Sequence, residues 1–116
     1  MTTREEAIAA CLELPGAYED YPFHDGNWTT MRHRDNQKIF AIIFARQGHI
    51  WVNVKAEPMQ GDFWRRAFSA VVPAYHMNKE HWISIILDGT MADEDIGRLI
   101  EDSFALTAPK RKKRPS

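Results

Sequence analysis

Cysteine is almost absent from this chain of 116 residues, where Cys11 stands alone. A single thiol forms no internal disulfide, which excludes a disulfide-built scaffold and fits a reducing, cytoplasmic setting. Long apolar runs are lacking too. The longest, Ile39 to Ala45, covers seven residues, whereas a membrane-spanning helix needs about 20. Residues 1 to 15 carry no cationic start followed by an apolar stretch, so no secretory signal is expected. Gly-rich phosphate loops, nucleophile elbows and paired carboxylates in a catalytic context are missing as well. The five histidines show neither helical i, i+4 pairing nor a flanking cysteine or acidic ligand set, which argues against a metal site. These absences leave the expectation of a non-enzymatic domain with no metal or cofactor and no membrane.

What is present is ordinary in amount. Apolar residues make up 44% and charged residues 27%, values that support one folded core rather than disorder. A single domain is expected over residues 1–109, with a basic, disordered tail over 110–116. Lys110, Arg111, Lys112, Lys113 and Arg114 supply five of the 15 basic residues, so the rest of the chain sets ten against 16 acidic residues. Such a tail can touch phosphates, whereas the acidic body would repel them except at a local patch.

Patterning predicts the elements. Thr3 with Glu6 matches a capping box, and Ile8, Cys11 and Leu12 follow at helical spacing until Pro15-Gly16. Residues 17–27 are rich in turn formers and read as an ordered loop with aromatic anchors. Trp28 to His33 is a weak strand, Lys38 to Ala45 a strong one, and His49 to Lys55 a third beyond the turn Gln47-Gly48. Glu57-Pro58 opens a second helix, with Phe63, Trp64, Ala67, Phe68 and Val71 as its apolar stripe. A strand follows over Trp82 to Leu87, with a short extra strand near residues 74–77. The acids Asp93, Glu94 and Asp95 suit the start of a third helix, whose apolar face is Ile96, Leu99, Ile100 and Phe104 before Pro109 ends it. The order α-βββ-α-β-α implies an α+β two-layer sandwich, a mainly antiparallel sheet with helices on one face. Its other face is left for water or a partner, and Tyr21, Phe23, Trp28 and Trp51 are candidates for partial exposure there.

Cys11 falls on the apolar stripe of the first helix, where burial is a better account than nucleophilic chemistry. The densest segment is Pro73-Ala74-Tyr75-His76-Met77-Asn78-Lys79-Glu80-His81-Trp82. In a packing role, Tyr75, Met77 and Trp82 enter the core, Asn78 caps a turn through its side chain, and His76 and His81 satisfy buried carbonyls. In a binding role, His76, Asn78, Lys79 and His81 converge beside Trp51 or Trp28 as a polar pocket or anion contact. The packing role has the greater weight, and the two can coexist.

Several motifs together carry a resemblance. Leu14-Pro15-Gly16-Ala17, Asp20-Tyr21-Pro22-Phe23, Lys38-Ile39-Phe40-Ala41, the segment from Pro73 to Trp82, and Leu87-Asp88-Gly89 occur in the order seen in the MmcQ/YjbR family of small bacterial proteins, which the chain resembles over roughly residues 5–107. The resemblance implies a compact fold of the CyaY-like or secretion-chaperone-like type. It also implies DNA binding, a description that rests on a "double-wing" shape. On that basis the leading expectation is a DNA-binding or regulatory protein. Its phosphate contacts would be Lys55, Arg65, Arg66, His76, Asn78, Lys79 and the tail, with His81 beside them and Trp51 as a stacking group. The alternative is a protein-interaction or small-ligand module that uses the free sheet face and the segment from His76 to Trp82.

Overall fold

In the computed structural model, which describes residues 1–110, the first helix begins at the predicted cap. The Thr3 hydroxyl accepts from the Glu6 amide at 3.1 Å, and the Glu6 carboxylate accepts from the Thr2 and Thr3 amides, which holds its pKa below the usual carboxylate value. This helix, α1 (Arg4–Leu12), buries Ala7 and Cys11. It is followed by β1 (Ala17–Asp20), β2 (Thr29–His33), β3 (Ile39–Arg46), β4 (His49–Lys55), α2 (Pro58–Ala67), β5 (Val71–Pro73), β6 (Trp82–Leu87) and α3 (Asp93–Thr107).

The strands form one six-stranded antiparallel sheet in the order β1-β2-β3-β4-β6-β5. The expected α+β two-layer sandwich is therefore present, with a wider sheet. β1 occupies the first part of the segment expected to be a loop. The Asp20 carboxylate takes the Arg32 guanidinium at 2.8 Å and the Asp20 carbonyl takes the Thr30 hydroxyl, so cross-strand pairing outweighs the local turn preference. The extra short strand also forms earlier than expected, over Val71–Pro73 instead of 74–77. As the outermost strand it tolerates Pro73, which has no N–H to donate. Val71 thus leaves the predicted helical stripe, and Phe63 of that stripe is 59% exposed.

All three helices contribute to one core. Ile43, Val52, Val54, Ile83 and Ile85 meet Cys11 from α1, Trp64 from α2, and Ile96, Leu99 and Ile100 from α3. Burying each such aliphatic chain is worth about 1.5–3 kcal/mol. α2 lies so close to β6 that a Cβ on Gly61 would stand 3.3 Å from the Ile83 side chain. The register steps from Met31↔Ala41 to Arg32↔Ile39, leaving Phe40 as the extra residue of a bulge. Its carbonyl accepts from the Ser103 hydroxyl at 2.6 Å, and that hydroxyl accepts from the Lys55 amide at 2.8 Å. Ser103 therefore fastens α3 to β3 and β4.

The β3–β4 turn decides which side chains reach the face opposite the helices. Gln47 and Gly48 have φ of 51° and 81°, the pair of positive values of a two-residue turn matched to strand twist. This geometry fixes Arg46 opposite His49 and Phe44 opposite Trp51. Ile42, Phe44 and Arg46 consequently point away from the helices, because side chains alternate along a strand.

Candidate functional site

The face without helices is not bare. Paired rows across the sheet place Thr30, Ile42, Asn53 and Ser84 in one line and Phe44, Trp51 and Ile86 in the next. Two chain segments fold over these rows. One is the connection from β1 to β2, which brings Phe23, His24, Asp25 and Trp28 across. The other is the stretch after β5, which brings Tyr75, His76 and Met77.

Each segment is tied to the sheet by specific bonds. Asn27 caps the end of β3, donating to the Ala45 carbonyl at 3.1 Å and accepting from the Ala45 amide at 2.8 Å. The Arg4 guanidinium donates to the Asn27 carbonyl at 2.8 Å. Across the sheet, the buried Asn53 amide donates to the Tyr75 carbonyl at 2.8 Å. The Ser84 hydroxyl donates to the Asn53 side-chain oxygen and accepts from the Tyr75 amide at 2.9 Å. Thus Asn53 and Ser84, polar residues within two central strands, both hydrogen-bond to the Tyr75 backbone and to each other.

The aromatic rings pack in series. Trp28 stacks on Phe44 with centroids 4.7 Å apart, Tyr75 stacks on Phe44 at 5.7 Å, and Trp51 lies against both Phe44 and Tyr75. Between the two segments a cleft of about 460 Å³ remains open. Ile42 and Asn53 form its floor, Phe23, His24, Asp25 and Trp28 one wall, and Tyr75, His76 and Met77 the other. This volume falls within the usual range for small-molecule sites, about 300–1,000 Å³, and aromatic walls with few polar groups are typical of them.

A second, more polar hollow of about 320 Å³ adjoins it, sharing Tyr75 and His76. It is lined by Arg46, Trp51 and Lys79 as well. The Arg46 guanidinium lies 4.2 Å from the Tyr75 ring centre and 4.7 Å from that of Trp51, while the Trp51 indole N–H donates to the Arg46 carbonyl at 3.0 Å. His76 packs its ring 4.0 Å from Tyr75 and has φ of 59°. Positive φ is uncommon outside glycine and costs roughly 1–3 kcal/mol, so the surrounding contacts must impose it.

The residues expected to act together are placed on different parts of the molecule. His76, Lys79 and Trp51 come together around Arg46. Asn78 performs the packing role, its side-chain oxygen accepting from the Glu80 and His81 amides at 2.9 and 3.2 Å. His81 is exposed and lines neither hollow; its carbonyl accepts from the Ala56 amide. The expectation that His76 and His81 satisfy buried carbonyls is corrected, because both side chains are exposed and neither ring makes such a bond among the described residues. Trp51, expected to be partly exposed, is only 7% exposed beneath Tyr75 and Arg46. Arg65 and Arg66 lie on α2, on the helix-bearing side, each beside Asp62 at 3.7 and 3.1 Å. Lys55 ends β4 next to a smaller hollow of about 230 Å³ between α2 and α3. Lys110 is exposed, and the expected tail contacts Arg111, Lys112, Lys113 and Arg114 lie outside the described residues.

Sequence reasoning had named Trp28, Phe23 and Tyr75 without assembling them, and it missed Arg46, Ile42 and Asn53. The alternation of β3 and β4 was the available signal, since it sets Ile42, Phe44, Arg46, Trp51 and Asn53 on one face. Cys11 is buried as expected, and burial pushes its thiol up to about 12. Among the described residues no three His, Cys, Asp or Glu side chains gather as metal ligands.

The fold and cleft define a class: a small α+β sandwich whose helix-free face is crossed by two aromatic segments. The YjbR family model matches residues 12–106, and the chain belongs to that family. It is 36% identical to the uncharacterized protein YyaQ of Bacillus subtilis, with 92% of this chain and 99% of that protein aligned. Identity to the uncharacterized YjbR of Escherichia coli K12 is 28%, covering 88% of this chain and 84% of the other. A crystal structure from Pseudomonas syringae superposes with a TM-score of 0.81 at 30% identity, covering 91% of this chain and 99% of that one. A DUF419-domain protein of Deinococcus radiodurans gives the same score and identity, covering 91% and 78%.

Proposed function

We propose that this protein is a non-enzymatic small-ligand-binding module whose site is the aromatic cleft on the helix-free face of the sheet. The observation that carries the reading is the way the two segments are held. Asn53 and Ser84 are buried polar residues in central strands, and their side chains keep Tyr75 in place beside a space that Tyr75 does not fill. These bonds satisfy the Tyr75 backbone carbonyl and amide beyond the end of β5, and so fix this wall of the cleft where it stands. The lone, buried Cys11 supports a reducing, cytoplasmic setting for this activity.

The test is titration with the neutral aromatic probe 2-naphthalenemethanol, followed by amide and indole NMR shifts. Saturable shifts confined to Trp28, Ile42, Asn53 and Tyr75, reduced by Trp28→Ala, are expected. Shifts scattered over the helices, or none up to millimolar probe, would remove the reading.

DNA contact is the second reading, supported by the resemblance to a double-wing shape and by the cations Arg46 and Lys79 on one face. Arg65 and Arg66 belong to the opposite face, so a single duplex would not meet all of the expected contacts at once. Fluorescence anisotropy with duplex DNA should then show weak, steeply salt-dependent binding. Its loss on deletion of residues 110–116 would assign that binding to the tail.

A further inference from the structure

We infer that the cleft takes an aromatic carboxylate, with the ring between Trp28 and Tyr75 and the carboxylate in the adjoining hollow against Arg46 and Lys79. This deepens the binding reading above and rests on it. The first observation is the state of Arg46. The residue is half-buried and its guanidinium lies over two rings, yet no carboxylate pairs with it among the described residues, where its one side-chain hydrogen bond is to Gln47 at 2.9 Å. A guanidinium presents five N–H donors in a rigid fork that matches a carboxylate. Contact with the Trp51 and Tyr75 rings restrains the guanidinium before any ligand arrives, which lowers the entropy lost on binding.

The second observation is the partition. Tyr75 and His76 line both hollows, so a ligand seated on the Tyr75 ring in the apolar cleft has its end beside the cationic one. Lys79 is exposed at the same hollow and forms no salt bridge among the described residues, adding a second positive charge. The third observation is charge on the other wall. Asp25 belongs to the Phe23–Trp28 side and would repel an anion there, which orients the carboxylate toward Arg46. The strained backbone of His76 sits at the junction of the two hollows, where such strain commonly accompanies a ligand contact.

The experiment compares 2-naphthoate with 2-naphthalenemethanol, which share a ring system and differ in the anionic group, at fixed ionic strength by calorimetry and NMR. Naphthoate should bind about tenfold more tightly than the alcohol, the advantage of one well-placed charge-assisted contact. Arg46→Gln should remove most of that advantage, bringing the naphthoate affinity close to that of the alcohol measured on the same variant. Lys79→Ala, at an exposed position where folding is not at risk, should remove about threefold of it. Equal binding of the two probes would overturn the anion subsite and leave the cleft reading intact. A naphthoate preference that survives both substitutions would overturn it too, since the charge would then be held elsewhere. Binding of neither probe would bring down the cleft reading itself, and this inference with it.

Discussion

The two faces of the sheet solve the same problem with different chemistry. The covered face is aliphatic: Ile43, Val52, Val54, Ile83 and Ile85 close against three helices, and Ser103 is the chief polar fastener. The open face is aromatic and amide-bearing: Phe44, Trp51, Asn53 and Ser84 are buried under two loop segments and one arginine. Helices present continuous stripes that interdigitate with a sheet and leave little space. Loops take irregular paths, so they bury rings one at a time and leave a cleft between them. The comparison shows that burial on the open face is local and depends on a few bonds, whereas burial on the covered face is collective. Binding specificity is easier to build on the first kind of surface, because removing one tie changes the site without dissolving the core.

The largest effect is expected from truncation on the covered face. Phe40→Ala removes a ring packed edge-on against Phe104 and His33 at the bulge. It should cost about 3–5 kcal/mol, as large-to-small changes of buried aromatic residues do. Urea denaturation will show this as a lowered midpoint with the slope retained. At low denaturant the affinity for 2-naphthalenemethanol should be unchanged, because the cleft lies on the other face. A loss of affinity matching the loss of stability would mean the two faces are one cooperative unit.

A smaller effect is expected from the tie on the open face. Asn53→Ala leaves the Tyr75 carbonyl and the Ser84 hydroxyl each short of one partner. Leaving buried polar groups unsatisfied costs about 1–3 kcal/mol. Unlike Phe40→Ala, this substitution should release the segment carrying Tyr75 and His76, so the Tyr75 amide exchanges with solvent faster and probe affinity falls. Slow exchange at Tyr75 with normal affinity would show that Phe44 stacking alone suffices, and the proposed role of the Asn53–Ser84 pair would fail.

Much of the covered face was legible in the sequence. The Thr3–Glu6 cap, Pro58 at the start of α2, the acids opening α3 and the Gln47-Gly48 turn are all local signals, and each forms where its chemistry puts it. β1 was not legible, and β5 was expected only with other bounds, because both are short edge strands. Their existence depends on partners distant in sequence, such as Arg32 for Asp20 and Ile85 for Val71. The open site was legible only in pieces. Alternation already put Phe44, Arg46 and Asn53 on one face, but which loops cover that face is a matter of tertiary bonding. Nothing local to Asn53 announces a bond to Tyr75 22 residues away. The dense segment from Pro73 to Trp82 proved to do two jobs, its Asn78 half making a turn and its Tyr75–His76 half making a wall.

The gentlest probe of the comparison is pH. The covered face buries one imidazole, His33, whose Nε2 lies 2.8 Å from the Thr107 hydroxyl and whose ring lies 4.1 Å from Phe104. The histidines of the cleft, His24 and His76, are exposed. Burial holds the His33 pKa below its ordinary value of 6.5, because the charged ring would be poorly solvated there; a backbone contact at Phe104 and the charge of Asp35 offset part of this. A folded-state pKa below the unfolded one means the unfolded chain takes up a proton first as pH falls. Stability from neutral His33 is therefore complete above 6.5, declines as pH falls from there to the folded-state value, and is level below it. Urea midpoints measured at about pH 7.5 and about pH 5.5 should show this decline in the native chain. His33→Gln, which keeps a polar partner for Thr107 and cannot titrate, should show less of it. An equal decline in both proteins would place the titrating group elsewhere and leave the covered face insensitive to pH.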